Sequence, residues 1–451
     1  MQFSLMTAVM LAIAAGSLLF LAYATFGPLW LGMGMVVTSV CIVPRNLLGA
    51  SPADYGHAGV AGAHPRLTTY ALVFAIIAVV IVGFRVRGTL STWTTAFLFF
   101  MTAGMALWWN ANSEQWAGYW QYALVPLGWL AGTAFGSATD TNGRSGQTLA
   151  GWIAFLVGVQ LSVSLFQFLG IPVFTPDAFT AEVVGARVNG TLSHPTTLGK
   201  VLLLAIVLVL PLTRSTNART RWLANASIIG SLPLFVLSGG RANLLAVGIL
   251  LVAWVMMLPS EQAITLRKMI APALFVGAVS SLGMLKRRFQ EDPFGENRIH
   301  FMQVAFGQIV RRPLAGTGPN AYVSTVGQYD ALTAEGWPVH NTPLLAVGEL
   351  GIVGAGILFT PIVLVTVHAW RAKNRHDTSG TYAKAYLAST PGIFIIAMTG
   401  WGMLNGEVLG FWFFVTAFVS VKLANRTTLG KCAGDDNHAI RTKTLQTVKV
   451  A

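Results

Sequence analysis

Apolar runs of 18 residues or more recur along this chain. "PLLAVGELGIVGAGILFTPIVLVTVHAW" (343–370) is one, and shorter relatives such as "VLLLAIVLVLPL" (201–212) fall between polar breaks. A run of this length crosses about 30 Å of hydrocarbon as a helix. Lipid offers the backbone no hydrogen bonds, so a chain built this way must satisfy its amides within helices. Composition agrees: 54% of the 451 residues are hydrophobic and only 10% charged, with a mean hydropathy of +0.63, against about 25% charged in soluble chains. The 47 glycines suit helices packed closely in lipid. The expected fold is an all-α polytopic membrane protein. The N-terminus "MQFSLMTAVML" has no basic region of the kind that precedes a cleaved signal, so its first apolar run is expected to remain as a span. Cys41, in a span, and Cys432, in the polar tail, are far apart and point to neither a disulfide nor a metal site.

Candidate spans fall at 5–24, 27–43, 68–84, 93–110, 117–136, 148–170, 198–212, 221–239, 242–258, 268–285, 343–368, 385–403 and 407–423. That makes thirteen, or twelve if the first two, parted only by "TFGP", are one. The chain divides into N-terminal spans (1–170), a membrane region (171–425) with a large polar loop carrying short helices (286–342), and a basic tail (426–451). With the tail placed in the cytoplasm, eighteen of the 29 basic residues lie inside and eleven outside, the asymmetry of the positive-inside rule. The formal net charge of +13 is therefore read as topology and not as a nucleic-acid partner. Nine of the outer basic residues fall between Arg187 and Arg312, among them Lys200, Arg241, Arg298 and the group Lys286-Arg287-Arg288.

Three spans then begin on the outer side, each at a marked residue. "GTLSHPTTLGK" puts His194 before Pro195, "LSGGRANLL" opens a helix with Arg241 after a Gly-Gly turn, and "VHNTPLL" puts His340 before Thr342, the expected cap, and Pro343. In the outer loop, "GENRIHFMQVAFGQIVRRPLAG" predicts a helix capped by Asn297, opened by Arg298 and ending before Pro313. Ile299, Met302, Phe306, Ile309 and Val310 give that helix an apolar stripe suited to the membrane surface. Helix starts carry unpaired N–H groups and partial positive charge, and arginine adds a planar fork, so the group predicts an anion site with phosphate or diphosphate as guest. The same dipole ends disfavour protonation of a neighbouring histidine and would keep His340 a neutral base. Glu291, Asp292 and Glu296, the closest acidic grouping in the outer loops, are read as a solvated loop face, so no metal site is expected.

The series "RVNGTLSHPTTLG", "LSGGRANLLAVGIL", "NRIHFMQVAFGQIVRRPLAGTGPNAY" and "HNTPLLAVGELGIVGAGILF", in this order over about 185–360, resembles the bacterial O-antigen ligase and polymerase family. Two departures stand out: Ser238 is separated from Arg241 by Gly-Gly, and "HPT" replaces the commoner H-P-N. The resemblance implies a glycosyltransferase at the outer face of the bacterial cytoplasmic membrane. It would take a glycan from a polyprenyl diphosphate carrier and transfer it to an acceptor hydroxyl on a glycan or lipid. By that likeness Arg241 and Arg298 would hold the diphosphate and His340 would be the base. Arg187, His194 and Asn341 would be further substrate contacts. Glu349 would be either a partner for an arginine or a polar packing residue. The implied mechanism is inverting, with arginines and helix ends in place of a metal and no cofactor. A polymerase joining lipid-linked repeats shares the same donor. A transporter for lipid-linked sugars is the rival class, but its ionisable groups would belong at mid-membrane, where this sequence has almost none.

Overall fold

A computed structural model describes residues 25, 27–42, 92–174, 185, 187–258 and 297–424. Among these, all regular structure is helical: α1 (Pro28–Cys41), α2 (Thr92–Leu107), α3 (Ser113–Ala138), α4 (Arg144–Phe168), α5 (Pro195–Val209, continued by a 3-10 turn, Leu210–Arg214), α6 (Ala218–Ser238), α7 (Arg241–Met257), α8 (Asn297–Arg311), the short α9 (Tyr322–Val326) and α10 (Ala331–Ala334), α11 (Thr342–Ala372), α12 (Thr378–Thr399) and α13 (Gly406–Ala424). Among the described residues five stretches are long and apolar enough to cross a membrane: α4, α5 with its 3-10 turn, α6, α11 and α13. α3 and α12 have the length but are more polar, and α2 and α7 are apolar but shorter. The expected spans 5–24, 68–84 and 268–285, the group Lys286-Arg287-Arg288, the acidic trio 291–296 and the tail lie outside the described residues. Expected boundaries move by a few residues, most at the span expected from 385, which begins as a helix at Thr378. The span predicted to reach 403 ends as a helix at Thr399, because Gly400–Asn405 forms a loop, and α11 runs on to Ala372.

α5 lies at the centre of the bundle, with nearly every residue buried. α3 meets α13 along Gly128, Gly132 and Gly136, where a Cβ would strike the carbonyls of Gly410, Phe414 and Phe418. Small residues four apart allow helices in lipid to approach this closely. Gly392 of α12 is seated in the same way on Ala246 of α7.

Helix directions and cross-links sort the molecule into two ends. At one end the Ser215 hydroxyl donates to Thr141 O (2.9 Å), the Ser379 hydroxyl to Lys422 O (2.8 Å), and the Lys422 ammonium to Thr139 O. Arg144, Arg214, Arg219, Arg221, Arg371, Lys373 and Arg375 are placed there by their helix ends. The other end holds the loops before α5, α7, α11 and α13. Trp108, Trp116 and Trp120 are exposed near this end, and Trp222 and Trp370 near the basic one, a placement that suits the two interfaces of a bilayer.

The most constrained feature is the break in α11. Gly351 sits at φ 67° and ψ 176°, inside what would otherwise be an unbroken span. The freed groups are matched by the chain at 313–318: Thr317 N–H donates to Gly348 O (2.9 Å), Gly318 N–H to Glu349 O (2.8 Å), and Ile352 N–H to Pro313 O (2.8 Å). From the far side Trp109 Nε1 donates to Ala315 O (2.7 Å) and Gln115 Nε2 to Thr317 O (3.2 Å). The buried Glu349 carboxylate, 4% exposed, accepts from the Tyr122 hydroxyl (3.0 Å) and the Asn320 backbone. The two sequence runs "PLAGTGP" and "GELG" are thus mates. A Cβ on Gly351 would strike the Leu314 carbonyl, and one on Gly316 would stand 2.5 Å from the Glu349 carbonyl.

This generates a first prediction. Gly351→Ala combines that clash with a backbone region open in practice to glycine alone, a strain of about 1–3 kcal/mol before the clash is counted. The variant should unfold at a clearly lower temperature in detergent. Gly356→Ala on the same helix, where a Cβ meets nothing within 4 Å, should melt like wild type. Equal melting of all three proteins would show that the break is not required.

Candidate functional site

The segment before α5 is held by two glutamines of α4. Gln160 Nε2 donates to Thr191 Oγ1 (2.7 Å) and its Oε1 accepts from Thr191 N–H (2.9 Å); Gln167 Nε2 donates to Gly190 O (2.8 Å). Val188 N–H reaches Leu237 O (3.3 Å), which sets Arg187 beside the turn that leads to Arg241. That turn uses Gly239 at φ 61° and Gly240 as N-cap, so Arg241 is the first residue of α7, as expected. Asn243 Nδ2, two residues further on, donates to Thr196 O (3.1 Å) and joins the first turn of α7 to that of α5. Arg187, His194 and Arg241 are all half-buried at this end.

His194 is the N-cap of α5: its Nδ1 accepts from Thr196 N–H at 3.1 Å. A neutral ring whose Nδ1 accepts must carry its proton on Nε2. His194 therefore presents a donor and not a base.

At the start of α11 the cap is Asn341, not Thr342. The Asn341 Oδ1 accepts from Leu344 N–H (2.9 Å), while Thr342 is the first helical residue and donates its hydroxyl to Gly400 O (2.6 Å). Asn341 Nδ2 also reaches Met398 O (3.4 Å), so this buried side chain ties α11 to the end of α12. His340 stands just before the cap and is half-buried. Its ring lies near-parallel to Phe301 (centroids 5.7 Å, 29°) and to Trp337 (6.3 Å, 23°). Its Nδ1 is enclosed by protein.

Phe301 belongs to α8, three residues after Arg298, so the helix bearing the exposed arginine rests on the histidine. α8 has two distinct apolar faces. Phe301, Ala305 and Gln308 are buried against the protein. The stripe expected to meet the membrane surface, Ile299, Met302, Phe306 and Val310, is exposed, and Leu314 with Ile352 and Val353 of α11 is exposed beyond it; Ile309 is half-buried. Both ends of α8 are fastened to residues 329–330. His300 Nε2 lies 2.6 Å from Asp330 Oδ1, the Tyr329 hydroxyl donates to Gln308 Oε1 (2.8 Å), and the Arg311 guanidinium lies over the Tyr329 ring at 4.1 Å.

The one end thus collects His194, Arg241, Arg298 and His340 at the starts of α5, α7, α8 and α11, with Arg187 in the loop before α5. Glu349 does not join them: its partners are Tyr122 and Asn320, so it acts as the loop's clamp. Two ionisable residues unremarked as site residues in the sequence do join this end, Lys200 in α5 and Glu407 in the first turn of α13, both buried. The available signal was an ionisable residue inside an apolar span, in "LGKVLLL" and "NGEVLGF". Compared with models of known protein families and with curated proteins, the chain matches none.

The clamp on α8 yields a second prediction. Partial burial pushes the Asp330 carboxyl up, but hydrogen bonds from the Thr333 hydroxyl, His300 and the Thr333 backbone outweigh it and hold the group below its ordinary value of 3.8. Its contribution is therefore present above that value and is lost only as pH falls through the depressed one. Asp330→Asn should speed hydrogen exchange in residues 297–304 at neutral pH while leaving 342–372 as in wild type. Unchanged exchange in the α8 peptide would show that the helix is held by its apolar face alone.

Proposed function

We propose that this protein is a polytopic glycosyltransferase of the bacterial cytoplasmic membrane, resembling O-antigen ligases and polymerases. It would take a glycan from a polyprenyl diphosphate carrier at the outward face and pass it to an acceptor hydroxyl. The observation that carries this reading is the meeting of Arg298's helix with His340 through Phe301, at the same bundle end as Arg241 and its helix start. The basic opposite end supports an outward direction for this one.

In the proposed reaction the diphosphate lies against the forks of Arg241 and Arg298 and the start of α7, which has no side-chain cap, with Arg187 nearby. His340 takes the proton from the acceptor hydroxyl at Nε2 while that oxygen attacks the anomeric carbon. The bond from that carbon to the diphosphate breaks, its electron pair leaves with the lipid diphosphate, and the anomeric configuration inverts. Arginines and oriented amides stabilise charge where it develops without rearranging, which is the usual source of a large rate gain. The exposed stripe of α8 would rest among lipids beside the carrier's chain. Ligase and polymerase share this donor half and differ in the acceptor.

The test measures donor retention and glycan transfer on the same purified variants. His340→Ala and His340→Gln should each lose about 10²–10⁴-fold in rate and still retain the donor. Arg241→Lys and Arg298→Lys keep charge but lose the bidentate fork and should fail in donor retention. Transfer should survive EDTA. Near wild-type transfer by His340→Gln would place the base elsewhere, and normal output from both lysine variants would remove the diphosphate role.

A further inference from the structure

Beneath the arginine end lies a buried polar cluster that the steps above do not use. Lys200, 7% exposed, sits in the second turn of the central α5, where its Nζ donates to Thr196 Oγ1 (3.4 Å) and lies against Gly402. Glu407, 2% exposed, faces the same region from the first turn of α13. Its Oε1 accepts from Asn405 Nδ2 (3.2 Å) and from the Ser193 hydroxyl (3.5 Å). Asn405 is 7% exposed, and its Oδ1 is buried without a donor among the described residues.

The hydrogen-bonding capacity here is far from filled. An ammonium has three donors and a carboxylate about four acceptor positions. Here the ammonium makes one long bond to a described residue, the carboxylate accepts two long ones, and an amide oxygen has none. Buried polar groups in this condition favour a guest that completes them. The guest must accept from Lys200 and donate to Glu407 and Asn405, and a neutral guest suits a cluster that holds one basic and one acidic side chain. Neighbouring hydroxyls of a sugar ring do both. The location agrees. Ser193 and Thr196 flank the capping His194, and Asn243 bonds the same turn to the start of the Arg241 helix.

We propose that Ser193, Lys200, Asn405 and Glu407 form a subsite for hydroxyl groups of the sugar joined directly to the carrier's diphosphate. This rests on the diphosphate reading above and adds to it the residues that would sense the sugar itself.

The experiment measures binding of two probes to the full-length protein in nanodiscs: polyprenyl diphosphate, and polyprenyl diphosphate carrying N-acetylglucosamine. A site that hydrogen-bonds a ligand's hydroxyls discriminates strongly against the analogue lacking them, so wild type should prefer the sugar-bearing probe by about tenfold or more. Lys200→Met and Glu407→Gln should bind both probes alike, at the wild-type affinity for the bare carrier. Glu407→Gln retains shape and an oxygen for Ser193, and so carries the test if Lys200→Met does not fold. If wild type binds neither probe, the diphosphate reading fails and this inference with it. If wild type binds both equally, if the variants keep the sugar preference, or if they lose both probes together, the subsite is wrong while the diphosphate reading stands.

Discussion

A backbone that leaves its helix inside lipid needs other partners for its amides, and the break at Gly351 meets that condition through the chain at 313–318. Much of the site end depends on this contact. The loop fills the space between α3 and α11, and its backbone is grasped from both sides by Trp109, Gln115 and the carbonyls of Gly348 and Glu349. The same chain leads back to α8 and forward to the loop holding Trp337 and His340. The fit of loop against helix break therefore sets the level at which Phe301 meets the histidine.

The proposed site is shaped by how helix starts are fastened together. Asn243 joins α7 to α5, Thr342 and Asn341 join α11 to the end of α12, and α12 is seated on α7 at Gly392. These are short polar links at helix ends, where a capping side chain and a neighbouring carbonyl satisfy each other with little burial of charge. The arginines and His340 lie half-buried or exposed around that rim, while Lys200 and Glu407 lie beneath it. In the proposed reading the rim would take the charged headgroup and the buried cluster beneath it the sugar hydroxyls, the order in which diphosphate and sugar are joined in the proposed donor.

Much of this was readable in the sequence wherever the signal was local. Apolar runs marked the helices, the Gly-Gly pair marked the turn before Arg241, and the polar ends of α8 marked its limits. Two local readings shifted because side-chain reach decides them: Asn341 takes the cap that Thr342 was expected to supply, and Gly400–Asn405 leaves the helix early because that backbone serves Thr342 and Gln121. What the sequence hid was pairing across distance. "PLAGTGP" and "GELG" read as separate marks, and only packing reveals that each completes the other's backbone. Lys200 and Glu407 are more than two hundred residues apart, and no periodicity links them. Glu349 was open between two roles until Tyr122, in a span with no marked motif, supplied its partner.

Outward-facing transfer requires one orientation: the end that carries His340, Arg241 and Arg298 faces away from the cytoplasm. With Cys41 and Cys432 replaced by serine, single cysteines placed at the exposed positions Gln328 and Thr378 report on the two ends. In intact cells a membrane-impermeant maleimide should label the cysteine at 328 and leave the one at 378 unreacted until the membrane is opened. Labelling at 378 with protection at 328 would turn the site toward the cytoplasm and contradict the assignment of outward-facing transfer.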